Sequence, residues 1–351
     1  MTTAARLRFG LSYLFRTPPD DASGHSAVYR AKLEQIALAE ALGIDDIWVG
    51  EHHFVDDGWL PSPLTAAAAI AAVTNRVGIG TNALLPALHH PIRLAEDAAV
   101  VDNISGGRLL LGVALGYRAR EFEAFGVPHR ERAGRLEEAI TIMRRCWTES
   151  AFSHTGRHFA FEDVRCTPTP VQRPIPIWIG AAEAPAALRR AATMGDGWLS
   201  GGAPRPEARA RYLDLLGELG RDAGHPPIAA SSKPYIFVTR NPERDWAELR
   251  PLAIRQTRTA QRWFAEAGQA LPGGMSIEQL TDLLFLVDTP ENVAAAIVAS
   301  YRQGAYTHHI HTPNILGLPV ERSAESVALF ATEVVPAVRA RLAADASEEV
   351  R

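Results

Sequence analysis

Short apolar runs alternate along the chain with longer segments in which apolar residues recur every three or four positions. The first pattern predicts buried strands and the second predicts amphipathic helices. Eight strands are predicted, at residues 7–15, 44–50, 76–85, 108–116, 174–180, 195–201, 227–239 and 306–312. Because helical segments separate them, the chain is predicted to be an α/β protein. Eight such units favour a closed (β/α)8 TIM barrel over an open doubly wound sheet.

Two segments are longer than this repeating unit requires. Residues 151–164 alternate in polarity around Thr155 and Gly156, which predicts a surface hairpin. The segment near 245–287 is too long for one unit and predicts inserted helices. No change of composition and no linker rich in proline and serine divides the chain, so residues 1–351 are predicted to form a single domain.

The bulk composition is that of an ordinary globular protein. Of the 351 residues, 47% are hydrophobic and 22% are charged, and the formal net charge is −4. Neither a basic face nor a basic tail is evident, so we expect no nucleic-acid and no membrane partner. The chain has two cysteines, and its first residues lack the pattern of a signal peptide, which together predict a cytoplasmic protein.

The polar residues that follow the predicted strands mark the expected site. In a TIM barrel the catalytic residues lie at the C-terminal ends of the strands. Here these ends are residues 51–53, 81–83, 114–117, 180–183 and 309–311. Three of the five are built largely from small residues, which allow a flat ligand to lie against the backbone. The sequence therefore predicts a barrel enzyme with imidazole groups at its mouth.

Other kinds of site are less well supported by the sequence. His309 and His311 could share one face of a strand, but no third ligand is evident, so no metal site is predicted. The glycine pattern of a Rossmann dinucleotide site does not follow any predicted strand. A helix is predicted to begin at Ala184 or Pro185, and its free N–H groups favour an anion. A cofactor with a phosphate and a flat ring fits this layout.

Four stretches of the sequence resemble the bacterial luciferase-like flavin-dependent monooxygenases. They are GEHHF at 50–54, RVGIGTNALLPALHHPIRLAEDAAVVDNISGGRLLLGVALGYRAREFEAFG at 76–126, FEDVRCTPTPVQRPIPIWIGAA at 161–182 and LFATEVVPAVRARL at 329–342. The resemblance covers nearly the whole chain. It implies a (β/α)8 barrel, usually a homodimer, which receives reduced FMN from a separate flavin reductase. The family oxygenates a small organic substrate with O2 through a C4a-peroxyflavin.

The resemblance also assigns roles to residues around the flavin ring. His52 matches the family's catalytic histidine beside the ring, whereas His53 should point the other way and is expected to be structural. The Asn82–Ala83 peptide matches the position of a non-prolyl cis peptide that supports the ring. Ala114 lies at the end of the fourth strand and is expected to contact the cofactor.

The phosphate end of the expected site departs from the family pattern. Glu183 and Ala184 match the helix start that holds the FMN phosphate. The family often has Arg where this chain has Leu115, and Ser or Thr near Ala184. We expect the phosphate to rest on backbone N–H groups and the helix dipole, with Tyr117 or Arg118 as helpers.

Two other functions remain open at this stage. The missing Arg and hydroxyl groups leave room for a deazaflavin, F420, which related barrels use for hydride transfer without oxygen. The same losses are compatible with a non-catalytic flavin-binding protein, although the presence of His52 argues against it. The sequence names no substrate.

Overall fold

Eight parallel strands close into a barrel in the computed structural model, which describes residues 6–20, 24–224, 226–266, 268 and 274–348. Around the barrel the strand order is β1-β2-β3-β4-β7-β8-β9-β12, and β12 pairs back with β1. The barrel strands are β1 (Arg8–Tyr13), β2 (Asp46–Val49), β3 (Gly78–Thr81), β4 (Leu109–Val113), β7 (Ile177–Gly180), β8 (Gly197–Leu199), β9 (Ile228–Ala230) and β12 (His308–His311). All eight predicted strands are present, and the predicted (β/α)8 barrel is confirmed.

Helices connect the strands and cover the outside of the barrel. Several of them begin with a proline in the first turn, where the missing N–H costs no hydrogen bond. The helices are α1 (Gly24–Ala41), α2 (Pro63–Val73), α3 (Pro91–Ser105), α4 (Ala119–Ala124), α5 (Arg132–Thr148), α6 (Pro185–Met194), α7 (Pro206–Glu218), α8 (Pro242–Glu266), α9 (Ile277–Leu284), α10 (Pro290–Gly304), α11 (Val320–Leu329) and α12 (Val335–Glu348). None of the described helices is long and apolar enough to cross a membrane.

Two short sheets lie outside the barrel. The predicted hairpin is confirmed: β5 (Phe152–Thr155) pairs with β6 (Ala160–Val164) in antiparallel fashion. The second sheet was not predicted, and it joins β10 (Tyr235–Val238) to β11 (Phe285–Asp288) in parallel.

The second small sheet contains part of one predicted strand, which is therefore corrected, and the end of the predicted insertion. The strand predicted at 227–239 ends at Ala230, because the segment Ser231–Ser232–Lys233–Pro234 interrupts it before β10 begins. Proline has no N–H for a strand ladder and fixes its own backbone angle. The insertion near 245–287 contains most of α8, all of α9 and most of β11, so its described residues are mainly helical with a short strand at the end, while 267 and 269–273 lie outside the described residues.

The closing helix is also divided. The sequence predicts one helix over 321–342, whereas a π-helical turn at Phe330–Val334 separates α11 from α12. The helical direction is retained through the turn, so this difference does not change how the element packs on the barrel.

Two tryptophans form the centre of a small apolar cluster that is separate from the main core. Trp48 on β2 and Trp178 on β7 have ring centroids 5.8 Å apart and pack with residues of the neighbouring strands. A Cβ atom on Gly80 would lie 2.2 Å from the Trp48 ring, so a glycine is required there. The barrel interior below the mouth is therefore filled by side chains, as in other TIM barrels.

Candidate active site

A cavity of about 130 Å³ lies at the C-terminal ends of β2, β3 and β4, and we call it the His52 cavity. It is lined by Gly50, Glu51, His52, Trp59, Asn82, Ala83, Leu85, Ala114, Gly116, Tyr117 and Glu121. Five of the residues predicted from the sequence to contact substrate or cofactor are among them: His52, Asn82, Ala83, Ala114 and Tyr117. The structure thus brings together the predicted catalytic residue and the predicted ring-binding residues. Tyr117, which the sequence interpretation placed at the phosphate, lies with them, whereas Glu183 and Ala184 do not line this cavity.

His52 is oriented by a buried carboxylate. Its Nδ1 lies 2.9 Å from Oε1 of Glu121, and Glu121 is 1% exposed. Since the carboxylate can only accept, Nδ1 carries the hydrogen and Nε2 is left as the basic nitrogen. Burial favours the neutral acid, but hydrogen bonds from His52 and from the N–H of His53 hold the pKa of Glu121 below its usual range.

Arg118 completes this group. Its Nη1 donates to Oε1 of Glu121 and to the carbonyl of His53, both at 2.9 Å, and its Nη2 lies 3.4 Å from Glu266 at the end of α8. Arg118 is only 2% exposed. The sequence interpretation offered Arg118 as a helper for a phosphate, whereas the structure commits its guanidinium to the carboxylate that orients His52.

A second buried carboxylate, that of Glu51, lies just after β2 and accepts several hydrogen bonds. Nε2 of His53 and Nε2 of His89 lie 2.8 and 2.9 Å from its Oε1, and the Leu85 N–H donates to its Oε2 at 2.7 Å. Burial opposes ionisation, but these hydrogen bonds lower the pKa of Glu51. His53 therefore bonds to Glu51 within its own chain, whereas His52 bonds to Glu121.

Aromatic rings surround the imidazole of His52. The ring of Trp59 lies 4.7 Å away, that of Trp263 on α8 lies 4.9 Å away, and that of Tyr117 lies 5.7 Å away. Tyr117 in turn stacks on Phe264 at 5.5 Å. The C-terminal end of α8 therefore lies against His52 and Tyr117.

The floor of the cavity is made of backbone and small residues. The Asn82–Ala83 peptide bond is cis, as the resemblance implied. A Cβ atom on Gly50 would lie 2.9 Å from the Asn82 carbonyl, and one on Gly180 would lie 3.0 Å from the Cβ of Ala114. A side chain larger than glycine would therefore not fit at these two positions without a shift of its neighbours.

A neighbouring cavity of about 120 Å³ opens at the centre of the barrel mouth. Asn82 lines both cavities, and Ser12, Ser231 and His311 line only this one. The next histidine along β12, His309, is buried, and its burial lowers its pKa to about 3. Within the described parts of the chain no third potential metal ligand joins His309 and His311.

The expected phosphate end lies at the start of α6. Ala184 is the N-cap residue, Pro185 has no N–H to offer, and the N–H of Ala187 donates to the Ala184 carbonyl. Glu183 accepts hydrogen bonds from the backbone N–H of Arg205 at 2.8 Å and from the Arg205 side chain. Burial is the largest single influence and raises the pKa of Glu183, but the two hydrogen bonds and the positive charge of Arg205 together outweigh it and lower that pKa.

Sequence reasoning missed several residues of the site and gave Arg118 a different role. Glu121 and Arg118 are three residues apart at the start of α4, and their spacing is the one signal that could have paired them. Trp59 and Trp263 meet His52 only in the folded chain, since they come from a loop after β2 and from the distant α8. Arg205 gives no local signal of its contact with Glu183, because 21 residues separate the two.

Comparison with known proteins places this site in a family. The model of the luciferase-like monooxygenases matches residues 7–308. A solved structure of a monooxygenase from Streptomyces bottropensis superposes with a TM-score of 0.79 and 26% identity, over 94% of this chain and 99% of that one.

Two curated relatives of this chain differ from each other in their cofactors. The F420-dependent glucose-6-phosphate dehydrogenase of Kineococcus radiotolerans is 28% identical, over 89% of this chain and 96% of its own. The oxygenase component of the flavin-dependent trigonelline monooxygenase of Acinetobacter baylyi is 32% identical over 50% of this chain. The chain spans about half the length, 49%, of that second relative.

Proposed function

We propose, since the chain belongs to the luciferase-like monooxygenase family, that it is a monooxygenase which uses reduced FMN and O2 to oxygenate a small organic substrate. The observation that carries the proposal is the His52–Glu121 pair, which places an oriented imidazole on a cavity floored by small residues. The full-length likeness to the monooxygenase of Streptomyces bottropensis supports oxygenation as the reaction.

The His52 cavity would hold only part of a flavin, and the rest would lie in the neighbouring cavity, which shares Asn82 with it. Ala83 and Ala114 would face its flat ring, because Gly50 and Gly180 bring the backbone close enough to form a shallow cradle. The N-terminus of α6 would face the phosphate, and Arg205 is a cation already held there by Glu183. When bound, reduced FMN supplies the electrons that activate O2.

The protein's own groups have three tasks in this proposal. Nε2 of His52 holds or accepts a proton beside the reacting atoms, while Glu121 fixes the tautomer and stabilises the charged imidazole. Arg118 keeps Glu121 ionised and in place. Trp59 and Trp263 exclude water from the imidazole, which strengthens each electrostatic interaction in the site.

The proposal extends to partners. Oxygenase components of this kind need a separate source of reduced flavin, so we assign this chain a flavin reductase as its functional partner. A homodimer and a cytoplasmic location belong to the same proposal, as does a single domain over residues 1–351.

A second function, F420-dependent hydride transfer, is favoured by one specific observation. The F420-dependent dehydrogenase of Kineococcus radiotolerans matches this chain over nearly its full length, 96%, whereas the trigonelline oxygenase component matches over 49% of its own. The same cradle of small residues would accept a deazaflavin ring. The phosphate end, which lacks the Arg and hydroxyl groups usual in the family, does not distinguish the two cofactors.

An anaerobic titration separates the two functions. Quenching of tryptophan fluorescence reports binding, because Trp59 and Trp263 line the site beside His52. We expect saturable quenching by reduced FMN and much weaker quenching by F420. His52→Ala should retain the quenching, since the imidazole is not needed to hold the ring. Tight binding of F420 together with no binding of reduced FMN would refute the monooxygenase proposal in favour of the second function.

A further inference from the structure

A separate cavity of about 280 Å³ lies between α1, the end of β1 and the segment that follows β12, and we call it the Lys32 cavity. It is larger than the His52 cavity and shares no lining residue with it. Its volume is at the lower end of the range for small-molecule sites, so its ligand has to be small.

Aliphatic side chains form most of the wall. Leu14, Val28, Ile315 and Val320 are representative, and they come from three different parts of the chain. Such a wall favours a ligand with a short hydrocarbon chain.

The polar groups of the cavity are buried donors. Lys32 is 5% exposed, and within the described part of the chain its Nζ donates one hydrogen bond, of 3.2 Å, to the carbonyl of Arg16. Gln256 is 3% exposed; its Oε1 accepts from the Leu316 N–H at 2.9 Å. Among the described residues, its Nε2 has no hydrogen-bond partner. An ammonium has three hydrogens and an amide nitrogen two, so most of these donors require an acceptor inside the cavity.

The charges around Lys32 would be balanced by one additional negative charge. Arg16 and Asp57 are both buried and neutralise each other, with Nε of Arg16 3.0 Å from Oδ2 of Asp57. Glu321 lines the outer part of the cavity and is exposed to solvent. Burial is the largest influence on the pKa of Lys32 and, with the charge of Arg16, lowers it to about 7. The charge of Asp57 has a smaller effect in the opposite direction. A bound anion would return the proton to Lys32, whereas a dianion such as phosphate would exceed the one available positive charge.

The composition of the chain makes this lysine unusual. Lysine and arginine together number 36, yet Lys32 and Lys233 are the two lysines of the whole sequence. Lys233 lies elsewhere and donates to the carbonyl of Leu283. Lys32 is therefore one of only two lysines in a sequence whose other Lys or Arg residues are all arginine, and a lysine amine is smaller and loses its proton more readily than a guanidinium.

We propose that the Lys32 cavity binds a small aliphatic monocarboxylate, whose oxygens accept hydrogen bonds from Lys32 Nζ and Gln256 Nε2 while its hydrocarbon chain lies on the aliphatic wall. Binding at this site does not depend on the flavin function proposed above, because no residue of the His52 cavity takes part.

Selective labelling tests the proposal in the unaltered protein. With ¹³C-labelled lysine the NMR spectrum contains Cε signals from two residues, Lys32 and Lys233. Titration with hexanoate, in the absence of any cofactor, should move the Lys32 signal saturably and raise the pH at which it titrates. The Lys233 signal is the internal control and should stay in place. The proposal fails if the Lys32 signal does not respond to hexanoate.

Calorimetry with matched probes and variants gives an independent test. Hexanoate should bind the wild-type protein, and its affinity should fall by at least about tenfold in Lys32→Met, which retains the length of the side chain without its charge. Gln256→Leu should weaken binding less, and Lys233→Met should leave it unchanged. 1-Hexanol, which has the same chain length and no charge, should bind weakly. Equal affinity of hexanoate for the wild type and Lys32→Met, or of hexanol and hexanoate for the wild type, would overturn the assignment.

Discussion

Nδ1 of His52 lies 2.9 Å from Oε1 of Glu121, and the same oxygen accepts from Arg118 at 2.9 Å and from the backbone N–H of His53 at 3.0 Å. One buried carboxylate oxygen therefore fixes the ring of His52, the backbone beside it and a guanidinium. Its second oxygen, Oε2, is buried and has no partner among the described residues. This arrangement makes the orientation of His52 depend on Glu121.

The first prediction concerns this dependence. His52→Ala should lower kcat of the proposed oxygenation by about 10²–10⁴-fold, the usual contribution of a general acid or base. Glu121→Gln should lower kcat by at least about tenfold and shift its pH profile, because the amide retains the hydrogen bond but no longer stabilises a charged imidazole. Cofactor affinity should remain near wild type in both. Glu123→Gln, on the same helix but exposed, is the matched control. An unchanged kcat and pH profile in Glu121→Gln would contradict a positioning role.

The second prediction concerns stability and pH at Glu51. Burial favours neutral His89, but its hydrogen bond to Glu51 outweighs this and raises its pKa above 6.5. The folded state thus holds this proton more tightly, so the stabilisation is complete below pH 6.5 and is lost as pH rises through the folded value. His89→Gln should reduce the fall in Tm between pH 6 and 9, measured by calorimetry. The control variant His90→Gln should show the same fall in Tm with pH as the wild type. If His89→Gln also shows the wild-type fall, the His89–Glu51 hydrogen bond does not cause it.

The barrel itself was predictable because its signals are local. Most of the strands are apolar runs and many helices begin or end at proline or glycine, so all eight barrel strands were found. The error at 227–239 came from β10, an apolar segment whose pairing with β11 spans about 50 residues. Sequence periodicity carries no information about such a distant partner.

The site was predictable only in part, for a related reason. His52 and Asn82 stand at strand ends, and the barrel fold alone says that strand ends meet at the mouth. Glu121 looks like any acid in the first turn of a helix until the fold buries it beside His52. Trp263 comes from an inserted helix whose docking is set by tertiary packing, which no pattern in 242–266 specifies.

The third prediction addresses the cofactor phosphate. Arg205 is held beside the start of α6 by Glu183, although its side chain is largely exposed. Arg205→Gln should weaken binding of reduced FMN by about tenfold, since a charged hydrogen bond contributes about 1.5–3 kcal/mol and exposure reduces that value. Reduced riboflavin, which has no phosphate, should bind both proteins equally. Arg211→Gln, on the helix α7 that Arg205 precedes, is the control. If riboflavin affinity falls as much as FMN affinity, Arg205 does not contact the phosphate.

The last prediction concerns the cover over the site. Trp263 lies 4.9 Å from the ring of His52 and 5.3 Å from that of Trp59, and the guanidinium of Arg118 lies 4.8 Å from its centroid. Trp263→Ala should therefore admit water to the imidazole and weaken the electrostatic interactions of the site.

For the proposed oxygenase, the expected result of that change is uncoupling. More reduced cofactor should be consumed as hydrogen peroxide and less as oxygenated product, with a severalfold rise in the peroxide fraction. Trp246→Ala is the matched control, because Trp246 lies near the other end of α8 and packs near Phe285. Both variants remove a large ring from the same helix, so a loss due only to helix destabilisation would raise the peroxide fraction in both. A rise confined to Trp263→Ala would show that the ring over His52 acts by excluding water, whereas no rise in either variant would show that the end of α8 does not protect the reaction.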